Sequence, residues 1–165
     1  MSVSPTTLAG VQFTFSAVLF ALVARWYVSP ALNRLPVGSA LVPLFLVHAL
    51  RYLPSSAFAP GQIDPRVPAS TMGTIAYGDL ASAVLAMIAA VFLHYGLSGA
   101  ITVAWVVNVV TALDWLYAGF VAASNQLVTY PMGGNWYIIN YYVPVIGIIH
   151  IMIFARLLQA PAQPR

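Results

Sequence analysis

Five runs of apolar side chains, each close to the length of a membrane crossing, constrain this chain more than any other feature. They cover residues 6–27, 36–54, 72–95, 98–123 and 136–158 and are separated by clusters of Pro, Gly and Arg. About 20 apolar residues in a helix cross the ~30 Å hydrocarbon core of a bilayer. The pattern predicts an all-α integral membrane protein, with five transmembrane helices in one bundle and a single transmembrane domain over residues 1–165.

The composition leaves no alternative to a lipid-facing surface. Hydrophobic residues make up 61% of the chain and charged residues only 5%, too few to coat a soluble domain. Without Cys there is no disulfide or thiolate chemistry, and without Lys there is no Schiff base. The six arginines are scattered, which argues against a nucleic-acid partner. The first run lacks a positively charged leader, so we expect a retained helix and not a signal peptide.

The connections between the runs predict the orientation of the bundle. "HYGLSG" is a tight turn, whereas "PSSAFAPGQIDPRVPAST", with four prolines, and "ASNQLVTYPMGGNW" are long loops expected on one face. Positively charged short segments stay in the cytoplasm. Arg25, Arg34, Arg156 and Arg165 fall on one side, so we expect the N-terminus outside, the C-terminus in the cytoplasm and the bacterial inner membrane as the location.

Strongly polar side chains gather in the half of the predicted bundle next to the long loops, while His94 and His150 lie in the other half. A charge at membrane depth must pair or face a wet cavity. We expect Arg51 and Asp79 to meet across neighbouring helices, beside an outward pocket lidded by both loops. The candidate catalytic residues are His48, Asp79 and Asp114. The candidate ligand-binding residues are Arg51, Tyr52, Tyr77, Asn108, Trp115, Asn140 and Tyr141.

Each of these residues also has a structural interpretation. Arg51, near the predicted end of its helix, could snorkel to headgroups, and Asp79 could cap a helix break. His48 could be a satisfied core histidine. The tyrosines could form an interfacial aromatic belt, and Asn108 could hydrogen-bond between helices.

Spacing argues against a metal site and leaves one cofactor alternative open. The three histidines show neither an i, i+4 pair nor an H-E-x-x-H motif. We therefore predict no metal and no cofactor. Bis-histidine haem ligation stays an alternative only if His48 and His150 lie at one level.

Several short segments resemble the EXPERA group, the sterol isomerase and sigma-2 receptor relatives. They are "LFLVHALRYLP", a Pro-rich loop, "YGDLASAV" and "YYVPVIGIIHIMIFARLL", within residues 41–158. The resemblance implies that His48 and Asp79 handle protons or bind ligand. The chain differs from that group in its extra leading helix, in Arg51 and Asp114, and in having Asp at position 79.

Two function classes follow. In the first, the pocket binds a small lipid-like molecule, and His48 with an aspartate isomerises or hydrolyses it by acid–base chemistry. In the second, the chain is a non-catalytic subunit of a larger membrane complex, a homo-oligomer, or a proton or solute transporter. The small residues Gly96, Gly99 and Ala100 would suit packing against a partner.

Overall fold

The computed structural model describes residues 3–160, and that part of the chain folds into helices without a β-strand. Five of the helices are long and apolar enough to cross a membrane, which confirms the predicted number. We label them in chain order as α1 Pro5–Leu32, α2 Val37–Phe58, α3 Ala69–His94, α4 Ala100–Ser124 and α5 Asn135–Leu157.

Helix α1 begins where the sequence predicts and ends later. The Ser4 hydroxyl accepts a hydrogen bond from the Thr7 N–H at 3.1 Å, and Pro5 occupies the first turn. The prediction ended this helix near Tyr27, but the chain passes through a π turn at Ala24–Val28 and continues to Leu32. Pro30 does not stop it, because Pro30 lies in the first turn of the last α-helical stretch.

Helix α2 also extends beyond its predicted end at residue 54. It is α-helical over Val37–His48 and becomes a 3₁₀ helix over Ala49–Phe58. Pro54 removes one backbone donor without ending the helix, and the Ser55 hydroxyl donates to the Tyr52 carbonyl oxygen at 2.6 Å. A 3₁₀ helix rises about 2.0 Å per residue, against about 1.5 Å in an α-helix, so this half of α2 is stretched.

The connections divide the bundle into two ends. One end, here called the loop end, carries the long loops 59–68 and 125–134, which contact each other as expected for loops on one face. The Asp64 N–H donates to the Pro131 carbonyl oxygen at 3.0 Å, and Gln62 Oε1 accepts from the Gly134 N–H at 3.1 Å. The opposite end, the turn end, has the tight turn 95–99, where Gly96 and Gly99 adopt positive φ.

Helices α2 to α5 form the bundle, and α1 packs mainly against α5. The apolar core lies toward the turn end, where alanines on α3 and α4 let Leu41, Phe45 and Ile153 pack closely. A smaller apolar cluster, which includes Val67, Leu127 and Met132, closes the loop end. The space between the two clusters holds the polar residues.

Arg156 plays a different part from the one used to predict orientation. Its side chain is buried, and its guanidinium donates to the Leu32 and Leu35 carbonyl oxygens and to Asn33 Oδ1. These contacts satisfy one carbonyl group at the end of α1 and one in the connection to α2. Arg156 lies at the predicted end of the bundle, and Arg165 lies outside the described residues.

Candidate functional site

Arg51 is the centre of a buried charge cluster that joins α2, α3 and α4. Its side chain is 1% exposed. The Nε–H donates to Asp79 Oδ1 at 2.7 Å, Nη2 donates to Asp114 Oδ2 at 2.5 Å, and Nη1 donates to the Thr111 carbonyl oxygen at 2.7 Å. Arg51 and Asp79 therefore meet as expected, and the snorkelling alternative for Arg51 is wrong.

Two features of α3 hold Asp114 in this cluster. The Ser82 hydroxyl donates to Asp114 Oδ2 at 2.9 Å. Gly78 lies directly against the carboxylate, and a Cβ at that position would collide with Asp114 Oδ1. The absence of a side chain at Gly78 thus gives Asp114 the room to reach Arg51.

The helix geometry explains why these three residues meet. Asp79 and Asp114 lie about 15 Å from the loop end of α3 and α4 at about 1.5 Å per residue. Arg51 lies about 14 Å from the loop end of α2 at the 3₁₀ rise of about 2.0 Å per residue. The predicted end of α2 placed Arg51 much closer to the surface, because it omitted the 3₁₀ extension.

The cluster contains one more negative than positive group. With Asp79 and Asp114 both ionised and Arg51 protonated, its net charge is −1, and a proton or a donor from a ligand would offset the excess. Buried charges are stable only when paired and hydrogen-bonded. The cluster is therefore suited to bind a hydrogen-bond donor.

A second polar group lies deeper, beside the first. His48 Nε2 lies 3.1 Å from His150 Nε2, and Thr111 Oγ1 lies 3.3 Å from His48 Nε2. The prediction placed His48 and His150 in different halves of the bundle. The 3₁₀ extension of α2 again accounts for the difference, because it carries His48 about 20 Å from the loop end.

For neutral rings, the hydrogen bonds of Asn108 define the tautomers of His48 and His150. Asn108 Nδ2 donates to the His150 carbonyl oxygen at 3.4 Å, so its Oδ1 accepts from His150 Nδ1 at 2.9 Å. His150 Nε2 is then the acceptor, and His48 Nε2 carries the proton. His48 Nδ1 is buried and has no hydrogen-bond partner within residues 3–160.

This arrangement does not fit the haem alternative. The two ring nitrogens are in hydrogen-bond contact at 3.1 Å, with no gap for a porphyrin plane between the rings. Within the described residues, no group of three or more His, Cys, Asp and Glu side chains could hold a metal ion.

A cavity of about 720 Å³ extends from the charge cluster toward the loop end between α1, α4 and α5. Arg51 and Asp79 are the charged residues in its wall, and most of the remaining wall is apolar. Small residues make the space, namely Ala9 and Gly10 on α1 and Ala118, Gly119, Ala122 and Ala123 on α4. Its volume lies within the range of small-molecule sites, about 300–1,000 Å³.

The predicted pocket was wrong in its lining and in part of its lid. His48, Asn108 and Asp114 do not line the cavity. His48 and Asn108 contact His150 deeper in the bundle, whereas Asp114 contacts Arg51 and Ser82. The loop 125–134 does cover it, through residues such as Leu127 and Met132, but the loop 59–68 only braces that loop.

Of the four aromatic candidates, only Trp115 lines the cavity. Tyr52, Tyr77 and Tyr141 are exposed and do not line the cavity. Trp115 does line it, with its indole over Gly147, where an added Cβ would lie 2.9 Å from the ring.

The π turn of α5 at Ile138–Tyr142 contains two residues of the cavity wall, Asn140 and Tyr142. Tyr142, next to the predicted Tyr141, lines the cavity and donates to the Val47 carbonyl oxygen at 2.9 Å. Asn140, which the sequence did single out, is fully buried in the wall. Single π turns inside helices are frequent at functional sites.

The sequence did not indicate Ser82 and Thr111 as site residues, and it favoured a place in the interfacial aromatic belt for Tyr142. Ser and Thr are common in apolar helices, where their hydroxyls bond to the preceding turn, so neither residue stood out. The spacing could have revealed Thr111, because it lies one turn before Asp114 on the same face of α4.

The fold and the site define a five-helix protein with a buried Arg–Asp–Asp cluster beneath an apolar cavity. Residues 8–158 match the family described as "Domain of unknown function (DUF8737)", and the chain belongs to this family. No curated protein and no solved structure matches the chain. The likeness to the EXPERA group stays a prediction.

Proposed function

We propose that this chain is an integral membrane protein whose loop end faces outward, in the bacterial inner membrane. The charge distribution supports this orientation. Arg25 and Arg34 are exposed near the turn end, where Arg156 also lies, whereas Arg66 is the exposed arginine of the loop end in the described part of the chain. Arg51 and Arg156 are both buried inside the bundle, so neither counts toward a side. The exposed arginines of the described residues then number two at the turn end and one at the loop end.

We propose that the protein binds a lipid-like molecule in the cavity, with the apolar part against α1, α4 and α5 and a polar group near Arg51 and Asp79. The observation that supports this most directly is the form of the cavity, an apolar space that ends at a buried ion pair. At about 15 Å from the loop end, that pair would lie near the middle of a ~30 Å hydrocarbon core. A polar group there is costly unless it has a function or a partner.

The geometry favours binding over the predicted acid–base reaction. Of the three candidate catalytic residues, Asp79 alone lines the cavity. His48 is engaged with His150 and Thr111 and makes no hydrogen bond to Asp79. A proton transfer between His48 and a ligand in the cavity would need a rearrangement of this pair.

The same geometry supports entry from the bilayer. Helices α1 and α4 both line the cavity but pack little against each other, since α1 packs mainly against α5. Gly119 on α4 and Gly10 on α1 leave open space, because an added Cβ at either position meets nothing within 4 Å. A molecule with a long apolar part could pass between the two helices.

The proposal can be tested by native mass spectrometry of the gently solubilised protein, followed by extraction and identification of bound lipids. Gly119 lines the cavity and an added Cβ there meets nothing within 4 Å, so we expect Gly119→Phe to place its ring in the cavity. Gly38→Phe is the matched control, because an added Cβ at Gly38 also meets nothing and Gly38 lies away from the cavity. We expect a defined bound molecule in the wild type and in Gly38→Phe, and its loss in Gly119→Phe. Equal retention of the molecule in both variants would contradict binding in this cavity.

One observation favours the second candidate, a subunit of a membrane complex. The Asp114 side chain is 24% exposed, on the surface between α3 and α4 and outside the cavity. A partly exposed carboxylate at this depth would be stabilised by a donor from a partner helix. Purification in mild detergent with Asp114→Asn as the comparison tests this, and a complex that survives the substitution unchanged would argue against it.

A further inference from the structure

Asn140 presents a hydrogen-bond acceptor that nothing in the described protein uses. Its side chain is 0% exposed and lies in the cavity wall. Nδ2 donates to the Trp136 carbonyl oxygen at 2.8 Å, which defines the orientation of the amide. Oδ1 is therefore an acceptor, and no donor within residues 3–160 reaches it. A buried acceptor without a partner is destabilising, so a ligand or a water molecule is expected to supply the donor.

Trp115 presents the complementary group. Its indole lines the same cavity, and its Nε1–H is buried without an acceptor in the described part of the chain. The hydroxyl of Tyr142, another polar group of the wall, already donates to the Val47 carbonyl oxygen. Two residues of the wall, besides the charge cluster, thus carry a buried donor and a buried acceptor that have no partner in the described part of the chain.

We infer that the ligand of this cavity carries a hydroxyl group that donates to Asn140 Oδ1. The inference rests on the proposed binding function and narrows it to long-chain alcohols. A hydroxyl group donates and accepts, so it can also serve Trp115. An ether or a ketone can accept but cannot donate to Asn140. A carboxylate cannot donate either, and it would face the excess negative charge of Asp79 and Asp114.

The test compares three probes of one chain length: hexadecan-1-ol, its methyl ether 1-methoxyhexadecane, and hexadecanoate. Radiolabelled hexadecan-1-ol is bound to the full-length protein in detergent micelles and displaced by each unlabelled probe. We expect the alcohol to compete about tenfold better than the ether, because the ether leaves Asn140 Oδ1 without a donor. Hexadecanoate should be the weakest competitor.

Two substitutions in the wall should have different effects on this preference. Asn140→Leu should reduce the tenfold difference between alcohol and ether to about twofold or less. Trp115→Phe removes a donor that the alcohol oxygen and the ether oxygen can both use. It should therefore weaken the binding of both probes and leave the ratio of their affinities unchanged. Asn125→Leu, which changes an asparagine outside the cavity wall, is the control and should keep the wild-type ratio.

The outcomes separate the two proposals. Equal competition by alcohol and ether in the wild type would overturn the hydroxyl inference and leave binding in the cavity intact. A tenfold preference that persists in Asn140→Leu would also overturn it, because another group would then be the acceptor. If no probe binds the wild type better than it binds Gly119→Phe, the proposed binding function itself fails.

Discussion

The buried cluster of Arg51, Asp79 and Asp114 yields the sharpest prediction about stability. Arg51→Met keeps a long side chain but removes the guanidinium. Asp79 and Asp114 then lose their cation, and the Thr111 carbonyl oxygen loses a donor. Removal of one partner from a buried ion pair costs about 3–5 kcal/mol, so we expect a loss of that size in the free energy of unfolding.

Asp79→Asn should reduce the free energy of unfolding by less than Arg51→Met does. Arg51 keeps Asp114 and the Thr111 carbonyl oxygen, and the substitution removes one of the two acidic groups of the cluster. We expect a loss of about 1.5–3 kcal/mol, the size of one hydrogen bond to a charged group. In the double variant only Asp114 remains without its cation, so the two losses should not add, and the coupling should lie between about 0.5 and 3 kcal/mol.

The assay is reversible unfolding of the purified protein in mixed micelles, followed by far-UV circular dichroism as the denaturing detergent fraction increases. Arg25→Met, at an exposed position near the turn end, is the control and should change stability by no more than about 0.5 kcal/mol. Additive effects of Arg51→Met and Asp79→Asn, within about 0.3–0.5 kcal/mol, would refute the pairing that this reasoning uses.

Three further predictions concern other contacts. Gly78→Ala should destabilise the protein by about 1–3 kcal/mol, because the new methyl group would push Asp114 away from its partners; an unchanged unfolding midpoint would contradict this. Arg156→Met should increase hydrogen exchange at the last turn of α1 and in the residues that follow it, because it removes the donors to the Leu32 and Leu35 carbonyl oxygens; wild-type protection there would refute this role of Arg156. Hydrogen bonds from Arg66 lower the pKa of Asp64 from 3.8 to about 2, so the pair should stabilise its loop above about pH 4 and lose that effect as the pH falls toward 2. An NMR titration should show the pKa of Asp64 rising in Arg66→Gln, and no rise would refute the role of Arg66.

The resemblance between predicted and observed helices has a simple cause. Transfer of apolar side chains into lipid is a property of each segment, so the five runs could be located without knowledge of their neighbours. The ends were less certain, because Pro30 and Pro54 act as helix stops only when the backbone cannot adjust. A π turn and a 3₁₀ stretch provide that adjustment here.

The sequence by itself determined that any charge within these segments needs a partner, and with so few charges Arg51 and Asp79 were the expected pair. Only the tertiary structure decided which further groups join them, because that depends on the depth of each residue and on its angle about the helix axis. The 3₁₀ half of α2 changes both, and it turns His48 toward His150 and away from the cavity. The π turn of α5 has the same kind of effect, since it leaves Tyr141 exposed and places Asn140 and Tyr142 in the wall of the cavity.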